Sequence, residues 1–416
     1  MTTEECCAEN RAATLTRRGL LGTAGAVLGG LAATTIDTRL AFAADRSGYD
    51  GDVLVVVSLH GGFDGLSAIA PVGDAEYYRA RPTIGVPKNL ILDGDGSFGL
   101  HPALAPLLPL WRNGSLAAVH AVGQPNPTRS HFAAMEAMEN AAPGTDLRTG
   151  WLERMLGRTG ATAPLAGVAM GSTMPSRLMG STGAVAMSGI DTFALAGEGK
   201  RPMAAALRAM YADAPAHLAA PVLAADRALA ATGRVKAAGA GNAAYPKTDL
   251  GTALRDVARL IRNGSGLVTA AVDCGDWDMH QGLGPAVAGH RMYDNLAGLA
   301  AALASFAADL GPDGMKGVTV LTVSEFGRRV RENSSRGCDH GHGNAMLLLG
   351  GGIRGGRVYA DWPGLAPDDL VAGDLRATTD YRSVIGELLQ RRCGFGSLDD
   401  VFPGVAPSRF GLAAAR

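Results

Sequence analysis

The chain has 416 residues, enough for one large α/β domain or two smaller ones with a sizeable core. Lys and Arg total 38 against 39 Asp and Glu, and aromatic residues make up 5%, which excludes a basic field or a base-stacking surface for nucleic acid. The 58 glycines predict numerous tight turns.

The N-terminus reads as an export signal rather than as part of the fold. Thr16-Arg17-Arg18-Gly19-Leu20-Leu21 is a twin-arginine pattern, a weakly apolar run follows over 19–35, and Ala41-Phe42-Ala43 is a small-x-small cleavage site. The run is too short and too rich in Gly, Ala and Thr to span a bilayer comfortably. The expected organisation is a signal peptide over 1–43 and one α/β domain over 44–416, exported to the periplasm or beyond, with no stable membrane span after cleavage. Its partner in transit is the twin-arginine translocase, which carries folded proteins. Cys6 and Cys7 precede the apolar run, so neither is a lipoprotein anchor. Cys274, Cys338 and Cys393 allow one disulfide at most, with Cys274 and Cys338 as a candidate pair.

In chain order, 52–59 (Asp52 followed by the mainly aliphatic Val53 to Leu59) is continuous rather than alternating, predicting a buried parallel strand that ends in the glycine-rich turn His60-Gly61-Gly62-Phe63-Asp64-Gly65. A helix is expected over 103–112, a strand over 116–122 and a helix over 131–140. Short strands follow near 165–170 and 184–188. An Ala-rich helical tract occupies about 202–262, broken near Gly239-Ala240-Gly241-Asn242. A strand over 267–272 runs into Asp273-Cys274-Gly275-Asp276-Trp277-Asp278-Met279-His280. A long helix at 287–309, strands at 318–323 and 346–349, and a closing helix at 380–391 complete the chain. Strands alternating with long helices imply a three-layer α/β/α fold on a mainly parallel sheet.

Polar clusters fall just past the apolar strands, at the edge where open α/β sheets bind ligands. Cys338-Asp339-His340-Gly341-His342-Gly343-Asn344 places a carboxylate and two imidazoles within four residues, the donors that zinc or a similar first-row ion prefers. Its glycines are expected to turn the backbone sharply and aim those side chains. Asp64 follows the first strand, Asp278 and His280 follow a later one, and Glu325 ends another. Glu325 is a metal ligand, a base or an ion-pair partner of Arg328 or Arg329. Ser130 stands at a helix start, a nucleophile or a cap; His131 beside it binds metal, shuttles a proton or packs. Arg129 and Arg328 are candidate clamps for anionic oxygens. No GxSxG elbow and no P-loop is present.

Several ordered motifs carry a resemblance: Leu59-His60-Gly61-Gly62-Phe63-Asp64-Gly65-Leu66, Pro127-Thr128-Arg129-Ser130-His131-Phe132, Trp277-Asp278-Met279-His280, Ser324-Glu325-Phe326-Gly327-Arg328 and Asp339-His340-Gly341-His342-Gly343. They resemble domain-of-unknown-function family 1501, twin-arginine-exported bacterial proteins. That family is in turn distantly similar to the alkaline phosphatase and sulfatase superfamily. The resemblance implies an alkaline-phosphatase-like sheet, a one- or two-metal site and a nucleophile at a helix N-terminus. By position Asp64 resembles the first ligand, Ser130 the nucleophile, and Asp278, His280, Asp339, His340 and His342 the later ligands. Ser324-Glu325-Phe326-Gly327 departs from the superfamily's Ser-Asp-His-Gly group, and no Cys/Ser-x-Pro-x-Arg sulfatase motif occurs. The expected function is an exported metal-dependent hydrolase of phosphate or sulfate esters, with zinc, manganese or calcium as cofactor. The alternative is a non-catalytic secreted protein that retains the same fold and binds a partner or an envelope polymer; the expected partners are accordingly a small anionic ester or an envelope polymer.

Overall fold

The computed structural model describes residues 48–180, 183–195, 203–406 and 408–416, apart from the side chain of residue 217. The twin-arginine segment and its cleavage site lie outside the described residues. No described helix is long and apolar enough to cross a membrane.

Among the described residues, a nine-stranded sheet runs in the order β10-β4-β9-β8-β1-β7-β5-β6, with β11 also on β4. The central strands are β1 (Val53–Leu59), β4 (Leu116–Gly123), β5 (Gly167–Met170), β6 (Val185–Met187), β7 (Thr269–Cys274), β8 (Val318–Val323) and β9 (Asn344–Gly350). Short strands β10 (Val358–Tyr359) and β11 (Thr379–Asp380) pair with β4, while β2 (Ile69–Ala70) and β3 (Gly99–Leu100) form a separate ribbon. β1 is parallel to both β7 and β8, whereas β9 is antiparallel to β8 and β4.

Each central strand is apolar on both faces because helices cover both. Val53, Val55, Val57 and Leu59 of β1 join one core, Leu54 and Val56 the other. Val318 and Val320 of β8 separate from Leu321 and Val323 in the same way, and Leu347 and Leu349 of β9 from Met346 and Leu348. The two-residue period of a strand sends alternate side chains to opposite layers. Each such aliphatic, fully buried, contributes roughly 1.5–3 kcal/mol of transfer free energy.

The first face is covered by the helices Asp249–Arg262 and Arg291–Met315. The second is covered by Trp151–Arg158 and Tyr381–Arg392, with Met138 of His131–Asn140. The Ala-rich tract divides into Met203–Met210, Ala216–Ala237 and Asp249–Arg262. Asp249–Arg262 packs against the sheet. Ala216–Ala237 buries Ala228, Ala231 and Val235 near its C-terminal end, and Met203–Met210 buries no residue. The expected helix at 103–112 begins instead as a 3₁₀ segment, Pro102–Leu107, because Pro106 breaks the α-helical ladder before Leu108–Arg112.

The antiparallel β9 decides where the site forms. Strands β1, β4, β7 and β8 all end at one edge of the sheet, and β9 begins there. The 338–343 segment precedes its strand, yet it meets the loops that follow the others.

Candidate metal centre

His131, Asp278 and His340 converge at that edge, with one ligand atom from each lying within 4.8 Å of the others. His131 begins the helix capped by Ser130, Asp278 lies four residues past β7, and His340 lies four residues before β9. Asp278 Oδ2 is 3.6 Å from His131 Nε2, and Asp278 Oδ1 is 3.3 Å from His340 Nε2. Ligands about 2.1 Å from a tetrahedral ion stand about 3.4 Å apart, so these spacings match two edges of such a shell.

The histidine tautomers fit the same reading. His340 Nδ1 lies 2.8 Å from the carbonyl oxygen of Arg129, which can only accept, so Nδ1 carries the proton. His131 Nδ1 lies 2.8 Å from Glu325 Oε1. Both rings therefore present an Nε2 lone pair towards Asp278, the arrangement by which carboxylate or carbonyl partners orient metal-binding imidazoles. Phe326 packs against both rings, at centroid distances of 4.9 Å from His131 and 4.6 Å from His340. The group is open to solvent, with side-chain exposures of 33% for His131, 47% for Asp278 and 18% for His340.

Asp278 Oδ1 also receives Arg328 Nη2 at 2.6 Å and lies 2.8 Å from His280 Nδ1. Burial alone would raise the Asp278 carboxyl, but the Arg328 guanidinium, helped by His280 and His340, holds it down at about 2. Burial pushes His340 below its ordinary value against the hydrogen bonds to Arg129 and Asp278, which favours the neutral ring.

Glu325, expected as ligand, base or ion-pair partner, is a support. Its Oε1 accepts from the Gly61 N–H at 2.7 Å as well as from His131, and its Oε2 accepts from Ser324 at 3.0 Å. Arg328, expected as an anion clamp, is buried. Its three nitrogens reach the carbonyl oxygens of Gly61, Gly62, Trp277 and Cys338 as well as Asp278, so it ties three loops together. Asp64, expected as the first ligand, gives both oxygens to Arg81, at 2.6 and 2.9 Å, and accepts from Ser67 at 2.6 Å. That pair is almost fully buried, and Asp64 is not among the three residues whose ligand atoms converge.

Asp339 is exposed and accepts from Asn333 Nδ2, and His342 Nε2 donates to the Gln124 carbonyl at 2.7 Å. Neither belongs to the triad. His280 borders it, its ring 4.5 Å from that of His340. Arg129 is half-exposed and held by Asp374 at 2.7 Å. Ser130 is exposed at the helix start, accepting from the Ala133 N–H at 3.5 Å. Cys274, Cys338 and Cys393 are all free thiols, so the candidate disulfide is not formed.

The glycines of the 338–343 segment have a different purpose from aiming ligands. Beside an Arg328–His340 bridge, the Gly341 N–H donates to the Gly327 carbonyl and the Gly327 N–H to that of His342, and a Cβ on Gly341 would lie 2.5 Å from the Arg328 carbonyl carbon. Gly61, at φ +115°, brings β1's turn against the Trp277–Asp278 peptide, where a Cβ would lie 2.5 Å from the Asp278 nitrogen. The glycines permit close backbone packing, which in turn fixes the ligands.

His131 is the member of the triad whose role the sequence left open among metal binding, proton transfer and packing. Its signal was available in its position, immediately after a helix cap and at the ligand edge, but Ser130 beside it drew the chemical reading. A family model described as "Protein of unknown function (DUF1501)" matches residues 111–397, and the chain belongs to that family. A search of the curated proteins finds no match.

Proposed function

We propose that this protein is an exported, metal-dependent hydrolase of phosphate or sulfate esters. One observation carries the reading: two imidazoles, each with Nδ1–H held by an acceptor, aim Nε2 with Asp278 at one solvent-open point. Two nitrogens and one carboxylate suit zinc best, and three protein ligands leave a position for substrate, as catalytic rather than structural sites do. A bound ion supplies Lewis-acid polarisation of an ester oxygen and stabilises the charge developing on it.

The chain's own residues supply the rest. Ser130 precedes His131, and its hydroxyl is held only by a long capping bond, which leaves it available as the nucleophile. Arg129, anchored by Asp374 and half-exposed, meets the anionic oxygens of the substrate. Arg328 and Glu325 hold the loops and the His131 ring in place.

A second reading, a secreted binding protein on the same fold, is favoured by the Arg328 and His280 contacts that already satisfy Asp278 Oδ1. Elemental analysis of the mature protein, followed by a panel of phosphate and sulfate esters, separates the two. About one equivalent of metal and turnover of any ester support the hydrolase. A protein that takes up no metal on reconstitution overturns it.

A further inference from the structure

A second polar chain lies at the same sheet edge. Glu139, two turns beyond His131 on its helix, pairs with Arg177 Nη1. Arg177 Nη2 reaches Asp273 Oδ1 at the end of β7, and the same oxygen lies 2.9 Å from His60 Nε2 just past β1. Arg177 is buried with its Nε lacking a partner among the described residues, a cost that packing alone does not explain. Burial would raise Asp273, but His60 and Arg177 hold it at about 2, so it is a carboxylate across the working pH range.

We propose that His60, oriented by Asp273, donates the proton to the leaving oxygen of the ester, a role that rests on the hydrolase reading above. Its place relative to the triad supports this. Gly61, the next residue, donates its N–H to the Glu325 oxygen that holds His131, and the His60 carbonyl accepts from the Trp277 N–H beside Asp278. Asp273 fixes Nε2–H, and the imidazole is one-third exposed. No described residue hydrogen-bonds Nδ1. This is the base-and-orienter arrangement that activates imidazoles in nucleophilic enzymes. The charged groups facing the ring and its carboxylate are Asp273, Arg177 and Glu139.

The step balances. The Ser130 oxygen bonds to phosphorus and its proton passes to solvent. The P–O bond to the leaving group breaks with its electron pair on that oxygen, which takes the proton from His60 Nδ1. In the second half, a water oxygen bonds to phosphorus and its proton passes to the neutral imidazole. The P–O bond to Ser130 breaks with its electron pair on Oγ, which takes a proton back from solvent, restoring both groups.

The test uses H60Q and the wild-type protein on two phosphomonoesters, 4-nitrophenyl and a simple alkyl ester. An alkyl leaving oxygen needs the proton, and 4-nitrophenolate does not. H60Q is expected to lose about 100-fold or more on the alkyl ester, to stay within a few-fold on the 4-nitrophenyl ester, and to keep its metal content and melting temperature. D273N keeps the ring but removes the carboxylate that orients it, so it should show the same alkyl-selective loss, smaller than that of H60Q. Equal loss on both esters, or none on either, in the presence of an active wild type overturns the role of His60 and leaves the hydrolase standing. A metal-loaded wild type that turns over neither of these esters nor any other in the phosphate and sulfate panel overturns the hydrolase reading and this role with it.

Discussion

His340 donates from Nδ1 to the carbonyl oxygen of Arg129 across 2.8 Å, so the backbone that aims one imidazole leads within two residues to the other, His131. The two rings are locked together at a centroid distance of 4.3 Å. Neither can reorient without moving the start of the helix.

The metal affinity of the triad should therefore depend on supporting groups as well as on ligands. D278N and H340A are expected to lose the ion, while E325Q, which weakens the acceptor behind His131, should bind it roughly 10- to 100-fold more weakly. Chelator competition monitored by elemental analysis reads this directly. Equal affinity in wild type and H340A would remove His340 from the ligand set.

Asp64 should behave as a structural residue. D64N leaves the Arg81 guanidinium buried without its counter-charge and is expected to destabilise by about 3–5 kcal/mol. Urea titration measures the loss, and the folded fraction should retain its metal. Loss of metal at unchanged stability would return Asp64 to the centre.

Acid should expose the same pair. Burial works to raise the Asp64 carboxyl, but Arg81 and Ser67 hold it below its ordinary value. A depressed folded value means that its stabilisation is complete above the unfolded value of about 4 and is lost as pH falls through the folded one. Asp273 acts in the same direction, between about 4 and about 2. Melting temperature should hold down to about pH 4 and fall below it, and D64N should flatten that acid limb. An identical acid limb in D64N would contradict the assignment.

Ser130 separates chemistry from capping. S130A removes a capping bond of 3.5 Å, so its melting temperature should change little, by less than about 1 kcal/mol in stability. Turnover should nevertheless fall to background with metal retained. An S130A protein with near-wild-type turnover would assign the attacking oxygen to water.

Much of the architecture was legible in the sequence because strands buried on both faces read as mainly β-branched and aliphatic runs without a charge, as at 53–59 and 318–323. The helix over 131–140 matches the pattern that follows Ser130. The direction of β9 was not legible. A seven-residue apolar strand looks alike in either orientation, and only its pairing with β8 and β4 brings His340 to the correct edge. The fate of Asp64 was hidden for a related reason. Arg81, its partner, follows 17 residues later in no motif, and the bond exists only once both are buried. Arg328 looked like a clamp because an arginine after a strand end is ambiguous until its acceptors, four backbone carbonyls from three loops, are in place.

The three converging side chains at 131, 278 and 340 belong to segments that meet only when β4, β7, β8 and β9 have joined. An ion that recognises this constellation has nothing to grip in the unfolded chain, so it acts as a thermodynamic latch on the whole sheet. By mass action, an ion present at a hundred times its dissociation constant adds about 2.7 kcal/mol to stability. A cell's metal supply would then set how long each molecule survives as well as how many are active.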